Sequence, residues 1–553
     1  MAEEMNPPPV GSMPRLLSAV FLVVLVGTAL DAYSVAGVPL PWLAQVTAIG
    51  AVLPLLLSRP RQRPPGFVWY ALFLLWASGI TAGAAALGSY AELMPSDATT
   101  PYPLFLALRV MVLVSFASFL LLVWRLLELG RERDLLRWTT LVGTAVALFA
   151  IYVYFAHVHG WPELARTRMG TGGGEQSVRF TFEFHRALGT FREPSHLAVW
   201  LTIPLFASLA WSKRTFNAPA IVMVAALLLS GSTTGVLAAA AGTVAGVLVG
   251  RPFQRDSLRT MLAVAVSFAC GAGLFRAMVV PYDDPRAGVL ADAPVTSVLH
   301  RSRASRPAIP FGPRPTPEPQ ASPRVVETSA AVAATPPPAS VAAPPPPPAV
   351  AAPSMAATPT PPAQDPVPTS PSPSMAPTFA QRRDMVPTAA ATERGLWDVL
   401  ERRASDLASK GLVAGTNRDY VLRFVVEEPP GWLGVGLGNA NLLLSRSLKS
   451  PLVVSYLSLY LNVAYAAGLA GAALLLAFLA HPLVATLRRG SRLAGAASLP
   501  LVAAYVAALV AFAGAVEELT LPFALAYALL AWHSRRHADA PRTARPADAS
   551  ASP

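Results

Sequence analysis

The sequence predicts an all-α polytopic membrane protein of about 12 transmembrane helices, with two long extracytoplasmic loops. Three observations predict it. The chain is 53% hydrophobic and 13% charged, whereas a soluble domain carries about 25% charged residues. Apolar runs approach the roughly 20 residues needed to cross the hydrocarbon core, and they recur along both ends of the chain. The arginines and lysines gather in alternate short connections, as they do when basic loops stay in the cytoplasm.

The elements follow in order. Apolar runs place spans at roughly 16–33, 38–57, 67–88, 103–124, 138–158, 195–211, 218–231, 234–250, 260–280, 452–480, 495–516 and 519–533. An even number of crossings puts both termini on one side. The cytoplasmic connections then hold Arg59, Arg61 and Arg63; Arg125, Arg131, Arg133 and Arg137; Lys213 and Arg214; Arg251, Arg255 and Arg259; Arg488, Arg489 and Arg492; and Arg535 and Arg536 in the tail. The short connections on the other side hold Glu92 and Asp97, or Glu517 and Glu518. The expected organisation is N-terminal helices over 1–158, a first outer loop 159–194, helices over 195–280 with a broken-helix motif, a large outer loop 281–450, helices over 451–533 and a cytoplasmic tail 534–553.

Within the large loop a Pro/Ala tract, roughly 305–390, contains Pro344–Pro348. Such a tract buries no core and is expected to be disordered or locally polyproline II, an insertion rather than a domain. After it, Leu396, Leu400 and Leu407 recur at helical spacing among charges, as in an amphipathic helix lying on a membrane surface.

Composition also excludes. The net charge of +12 suits nucleic acid in principle, but its placement in loops between apolar runs assigns it to membrane orientation instead. The single cysteine, Cys270, rules out an internal disulfide and a cysteine metal site. No phosphate-binding loop, HExxH or GxSxG pattern occurs, so no nucleotide cofactor and no use of cytosolic ATP is expected, and an acyl-hydrolase reading has no support. Glu3 and Glu4 in the leader, with a long first apolar run, argue against a cleavable signal.

Three constellations remain. The first is Arg418 and Arg423 ahead of Pro429-Pro430 and the glycines Gly431, Gly434, Gly436 and Gly438. Asn417 suits a helix N-cap and Pro429 must end the helix. Five residues of separation place the arginines about 140° apart, flanking a site, and each guanidinium can fork two donors toward a phosphate. The same spacing also makes ordinary ion pairs of Arg423 with Asp419 or Glu427, and the glycines equally make a plain re-entry loop. The second is Arg192-Glu193-Pro194-Ser195-His196. Pro194 opens a helix and Glu193 sits at its positive end. Arg192 is then a phosphate ligand and Glu193 or His196 a proton carrier, or the whole is a capped interfacial helix with a snorkelling arginine; His185 and Arg186 lie in the same loop. The third is Ser230-Gly231-Ser232-Thr233-Thr234-Gly235, where a broken helix either offers an N-terminus to an anion or makes a small-residue packing turn.

Together these segments resemble the Wzy/O-antigen ligase superfamily of bacterial membrane glycosyltransferases, over roughly residues 185–480. GTFREPSHLAVWL at 189–201 is similar to its loop-to-helix motif. LLLSGSTTGVLA at 227–238 is similar to its broken helix, and Arg423 followed by ten residues and Gly434 to the R-x10-G pattern of the large loop. SYLSLYLNVAYAAGLAG at 455–471 is similar to the helix after that loop. Ligases carry a His-Asn pair where Leu457 and Ser458 stand here, which favours a polymerase, and Thr233 stands where an arginine is frequent.

The resemblance implies a polysaccharide polymerase of the bacterial inner membrane. It would move a growing glycan from polyprenyl pyrophosphate onto a lipid-linked repeat unit at the outer face, in exopolysaccharide, capsule or O-antigen synthesis. Arg192, Arg418 and Arg423 would bind the pyrophosphate, with Glu193 and then His196 as proton acceptors and Ser232, Thr233 and Gly434 in support. The implied partners are the lipid-linked oligosaccharide, membrane lipid, and a flippase and chain-length regulator of the same pathway. The rival readings are an O-antigen ligase, a polysaccharide transporter or flippase, and a non-catalytic pathway scaffold.

Overall fold

Proline and glycine punctuate long apolar runs in this chain, and the helices begin and end where they fall. The computed structural model describes residues 13–52, 55, 62–95, 98, 100–159, 161–162, 164, 166–168, 186–212, 214–249, 255–279, 418–448, 450, 453–488 and 498–539. Among them are 15 α-helices. We number these α1 (Met13–Ala29), α2 (Leu40–Gly50), α3 (Phe67–Leu87), α4 (Tyr102–Glu128), α5 (Glu132–His159), α6 (Pro194–Trp211), α7 (Ala218–Leu229), α8 (Thr233–Val249), α9 (Arg255–Met278), α10 (Arg418–Glu427), α11 (Asn439–Ser447), α12 (Leu459–Ala466), α13 (Gly468–Arg488), α14 (Ser498–Gly514) and α15 (Leu521–Asp539). Prolines occupy the first turns of α2, α4, α6 and α7, where the missing N–H costs no intrahelical bond. Gly88 ends α3 in the left-handed conformation.

Six helices, α3, α4, α5, α6, α9 and α13, are long and apolar enough to cross a membrane by length and composition. Four more, α1, α7, α8 and α14, are apolar but shorter. The exposed faces carry large apolar side chains such as Leu75, Leu87 and Leu248, an outer surface that suits lipid rather than water.

Two elements differ from those expected. The region expected as one span, 452–480, is broken: residues 453–458 run outside any helix, α12 follows, and α13 begins at Gly468, which has φ +72°. Residues 34–39 fold as a two-residue antiparallel hairpin, Ser34–Val35 against Val38–Pro39, turned at Ala36 and Gly37, within a chain expected to be all helical. The Pro/Ala tract, the 393–409 amphipathic segment and Asn417 lie outside the described residues.

The core is built from aromatic rings and close helix crossings. Phe478 of α13 stacks on Tyr527 of α15 at 4.2 Å between centroids, and Tyr70, Phe116 and Phe523 extend the cluster. Burying aromatic rings in such offset and edge contacts contributes beyond their area. α8 crosses α14 through glycines: a Cβ at Gly242 would lie 2.3 Å from the Ala503 carbonyl, so only glycine fits there.

Charged contacts fall at opposite ends of the helices. At one end, Glu132 at the start of α5 meets His533 and Arg536 near the end of α15, and Arg125 pairs with Glu128 at the end of α4. At the other lie the end of α1, the start of α6, the early part of α4 and the turn between α14 and α15. That second end holds the residues singled out by the sequence.

Candidate functional site

The loop before α6 is drawn against the end of α1 by backbone pairing. The Ala32 N–H donates to the Thr190 carbonyl at 2.9 Å, and the Thr190 hydroxyl donates to the Ala29 carbonyl. Gly189 has φ +56° and packs on Ala150, where a Cβ would lie 2.8 Å from that methyl. This docking delivers Arg192 and His196 to a carboxylate that the sequence reading did not select, Asp31.

Asp31 is the hub. Arg168 donates Nη1 to its Oδ1 at 2.5 Å, Arg192 donates Nε to its Oδ2 at 3.2 Å, and the His196 Nδ1 lies 3.5 Å from the same oxygen. Burial raises the Asp31 carboxyl, but the His196 hydrogen bond and the charges of Arg192, His196 and Arg168 outweigh it. They hold it well below the usual carboxylate range. Glu193 is the N-cap residue of α6, and its side chain accepts from the Ser195 hydroxyl at 3.4 Å.

The broken helix lies beside this loop. The Ala187 N–H donates to the Leu229 carbonyl at 2.9 Å, and Arg186 donates to the Ser230 and Gly231 carbonyls at 2.8 and 3.2 Å. A cation thus caps the C-terminal end of α7. Ser232 is buried and its hydroxyl accepts from the Gly235 N–H at 3.2 Å, capping α8; Thr233 is exposed.

The glycine ladder is a packing device. Gly434, at φ +80°, lies against the break between α12 and α13, where a Cβ would stand 2.3 Å from the Gly468 nitrogen. Val435 and Gly436 donate to the carbonyls of Tyr465 and Ala466, and Leu469 donates back to Gly431. The segment therefore seals onto the broken span through its backbone, which only glycine permits at such approach. Ahead of it, α10 stops at Glu427, before Pro429 as its sequence requires. Val421 and Phe424 are buried on it, and Phe424 packs on Tyr456 and Tyr465. Arg423 is exposed on this helix; the Arg418 side chain lies outside the described residues.

The turn 515–520 between α14 and α15 touches both halves. Glu518 pairs with Arg109 of α4, and its charge also acts on Arg168 of the Asp31 cluster. Glu517 accepts from Asn441 Nδ2 of α11 at 3.1 Å and from the Tyr456 N–H at 3.2 Å. Asn462 of α12 donates Nδ2 to the Glu517 carbonyl at 3.0 Å. Burial raises the Glu517 carboxyl and Glu518 adds to that, against the opposing pull of Arg109, Ser455 and Asn441.

The structure thus brings Arg192 and His196 together at Asp31 and seats Glu193 in the same turn. It ties Ser232 and Gly434 into backbone capping and packing. Arg423 is carried on a separate helix, one aromatic contact from the segment that Glu517 holds. Asp31, Arg168, Arg109 and Glu517 are charges at this end that the sequence reading did not assign to the site. The available signal was their type: ionisable residues at the edges of apolar runs, which rarely sit there without a partner. Among the described residues no group of three or more His, Cys, Asp or Glu side chains is placed to hold a metal ion.

No curated protein and no solved structure matches the chain. A family model does: residues 173–288 match WcaD colanic acid polymerase. The matched segment contains the α6 entry with Arg192, Glu193 and His196, and the broken helix with Ser232 and Thr233. On that match the chain is similar to the Wzy-type polysaccharide polymerases.

Proposed function

We propose that this chain is a membrane glycosyltransferase that polymerises polysaccharide repeat units carried on polyprenyl pyrophosphate, at the outer face of the bacterial inner membrane. The observation that carries this reading is the cation cluster inside and beside the matched segment. Arg192 and His196 share Asp31 with Arg168, at the end of the helices where the 515–520 turn also meets the large-loop segment. A polyprenyl pyrophosphate leaves with developing negative charge, and preorganised guanidinium groups in a site of low dielectric stabilise that charge.

Arg192, Arg418 and Arg423 are assigned to the diphosphate, with Arg168 beside Arg192 on Asp31. Glu193 and His196, close to Arg192 at the start of α6, are assigned to proton movement on the diphosphate side of the reaction. Ser232, Thr233 and Gly434 support the site through the helix break and the loop seal. The energy comes from the carrier bond, so no nucleotide is consumed. Both termini lie in the cytoplasm in this reading, with 159–194 and 281–450 as outer loops; the two opposite sets of charged helix ends agree with that alternation. Membrane lipid surrounds the helices, and a flippase and a chain-length regulator act before and beside the chain.

Deletion of the gene, followed by chain-length analysis of surface glycan, tests the proposal. Loss of long chains with single repeat units accumulating on lipid supports it. Normal chain length refutes polymerisation, and long glycan trapped on the carrier would assign the chain to ligation instead.

A further inference from the structure

The transfer step needs a group to take the proton of the attacking sugar hydroxyl. When displacement occurs at an anomeric carbon from the face opposite the leaving group, that group stands apart from the cations that hold the diphosphate. Glu193 and His196 do not meet this condition: both share a helical turn with Arg192, and His196 faces Asp31. Glu517 does. It comes from a different element, the 515–520 turn, and its direct hydrogen-bond donors are the neutral Asn441 amide, the Tyr456 N–H and the Ser455 hydroxyl. Arg109 of α4, whose charge also reaches Glu517, is bonded by Glu518 instead.

Two further observations point to a ligand hydroxyl here. Asn462 is 8% exposed, its Nδ2 is fixed on the Glu517 carbonyl, and among the described residues its buried Oδ1 finds no donor. A buried carbonyl oxygen without a donor costs about 1–3 kcal/mol, and a sugar hydroxyl would satisfy it. Leu457, which follows the Tyr456 bound by Glu517, has φ +55°, a left-handed conformation that is costly for a leucine. Hydrogen bonds of the preceding residue and of its own N–H hold it: Tyr456 on Glu517 and Ala440, and the Leu457 N–H on the Ser455 hydroxyl. Strain of this kind persists where the surroundings over-determine a site.

We propose that Glu517 is the general base for the acceptor sugar hydroxyl and that Asn462 Oδ1 positions that hydroxyl; this rests on the polymerase reading above. The acceptor oxygen forms a bond to the anomeric carbon of the donor glycan. The bond from that carbon to the pyrophosphate oxygen breaks, the electron pair leaves with polyprenyl pyrophosphate, and the hydroxyl proton passes to Glu517. Burial and the Glu518 charge, which raise the Glu517 carboxyl, make it a better base than an exposed glutamate.

The test uses the full-length chain in proteoliposomes, supplied with lipid-linked repeat units extracted from cells that lack it. Extension by the wild type comes first; its absence overturns the polymerase reading and the base with it. Given extension, Glu517→Gln is expected to lower kcat about 10²-fold or more with KM and melting temperature kept, because glutamine preserves the acceptor oxygen for Tyr456. Asn462→Ala is expected to raise KM for the lipid-linked repeat. Asn441→Ala removes the same clasp without removing the carboxylate. If it slows extension as much as Glu517→Gln does, or if Glu517→Gln stays within a few-fold of wild type, Glu517 is a structural clasp and the proposal falls.

Discussion

Removing the Asp31 carboxylate leaves three basic side chains facing one another. Arg168, only 18% exposed, loses that carboxylate while its bond to the residue 31 backbone carbonyl remains, and Asp31 itself is 14% exposed, so little water reaches the pair. Breaking one side of a buried pair costs about 3–5 kcal/mol, most of it the penalty on the stranded charge. The Arg192 contact adds little, because that side chain is 40% exposed and screened. Asp31→Ala should therefore destabilise the chain by about 3 kcal/mol, and Asp31→Asn by less, since its amide oxygen still accepts. The assay is thermal unfolding of detergent-solubilised full-length chain across pH. The sign follows from the lowered carboxyl: the stabilisation is fully present above the ordinary carboxylate value of 3.8 and is lost as pH falls from there through the depressed folded value. Wild type and Asp31→Asn should thus differ at neutral pH and converge in acid. Equal melting at pH 7, or a gap that widens as the pH drops below about 4, would refute the reasoning.

Other outcomes follow from the same geometry. Arg192→Ala and Arg423→Ala should abolish long glycan chains while the protein still inserts, and lysine at either position should restore little because it lacks the planar fork; blots for membrane level beside glycan gels decide this. Gly434→Ala places a methyl 2.3 Å from the Gly468 nitrogen at φ +80°. It should cost on the order of 3 kcal/mol, seen as lost expression or a lowered melting temperature. Arg109→Met removes the partner of the half-buried Glu518 and should cost about 1–2 kcal/mol in the same assay; combining it with Glu518→Gln should recover part of the loss.

Much of the helix layout was legible because lipid imposes a simple rule on sequence. Runs such as 195–211 and 67–88 are apolar along their whole length, and α6 and α3 fall within a residue or two of them. The stop at Pro429, the start at Pro194 and the break at 230–232 were equally legible, since each depends on what one residue does to its own backbone. The break inside 452–480 was not. There Gly434 packs against residues 466–468, a contact between segments more than thirty positions apart that no local pattern announces. The Asp31 cluster escaped for the same reason: its members are separated by up to 165 residues, and no local pattern marks a partner at that distance.

The sequence alone determined that lipid is the solvent, where most helices lie, and which motif residues stand at their ends, because hydropathy, proline and glycine act within a few bonds of themselves. Only the tertiary structure decided that Asp31 gathers Arg168, Arg192 and His196, and that Glu517 of the 515–520 turn clasps Asn441 and Tyr456. Electrostatic and packing partners are set by where helices pack in space, and spacing along a chain carries no record of it.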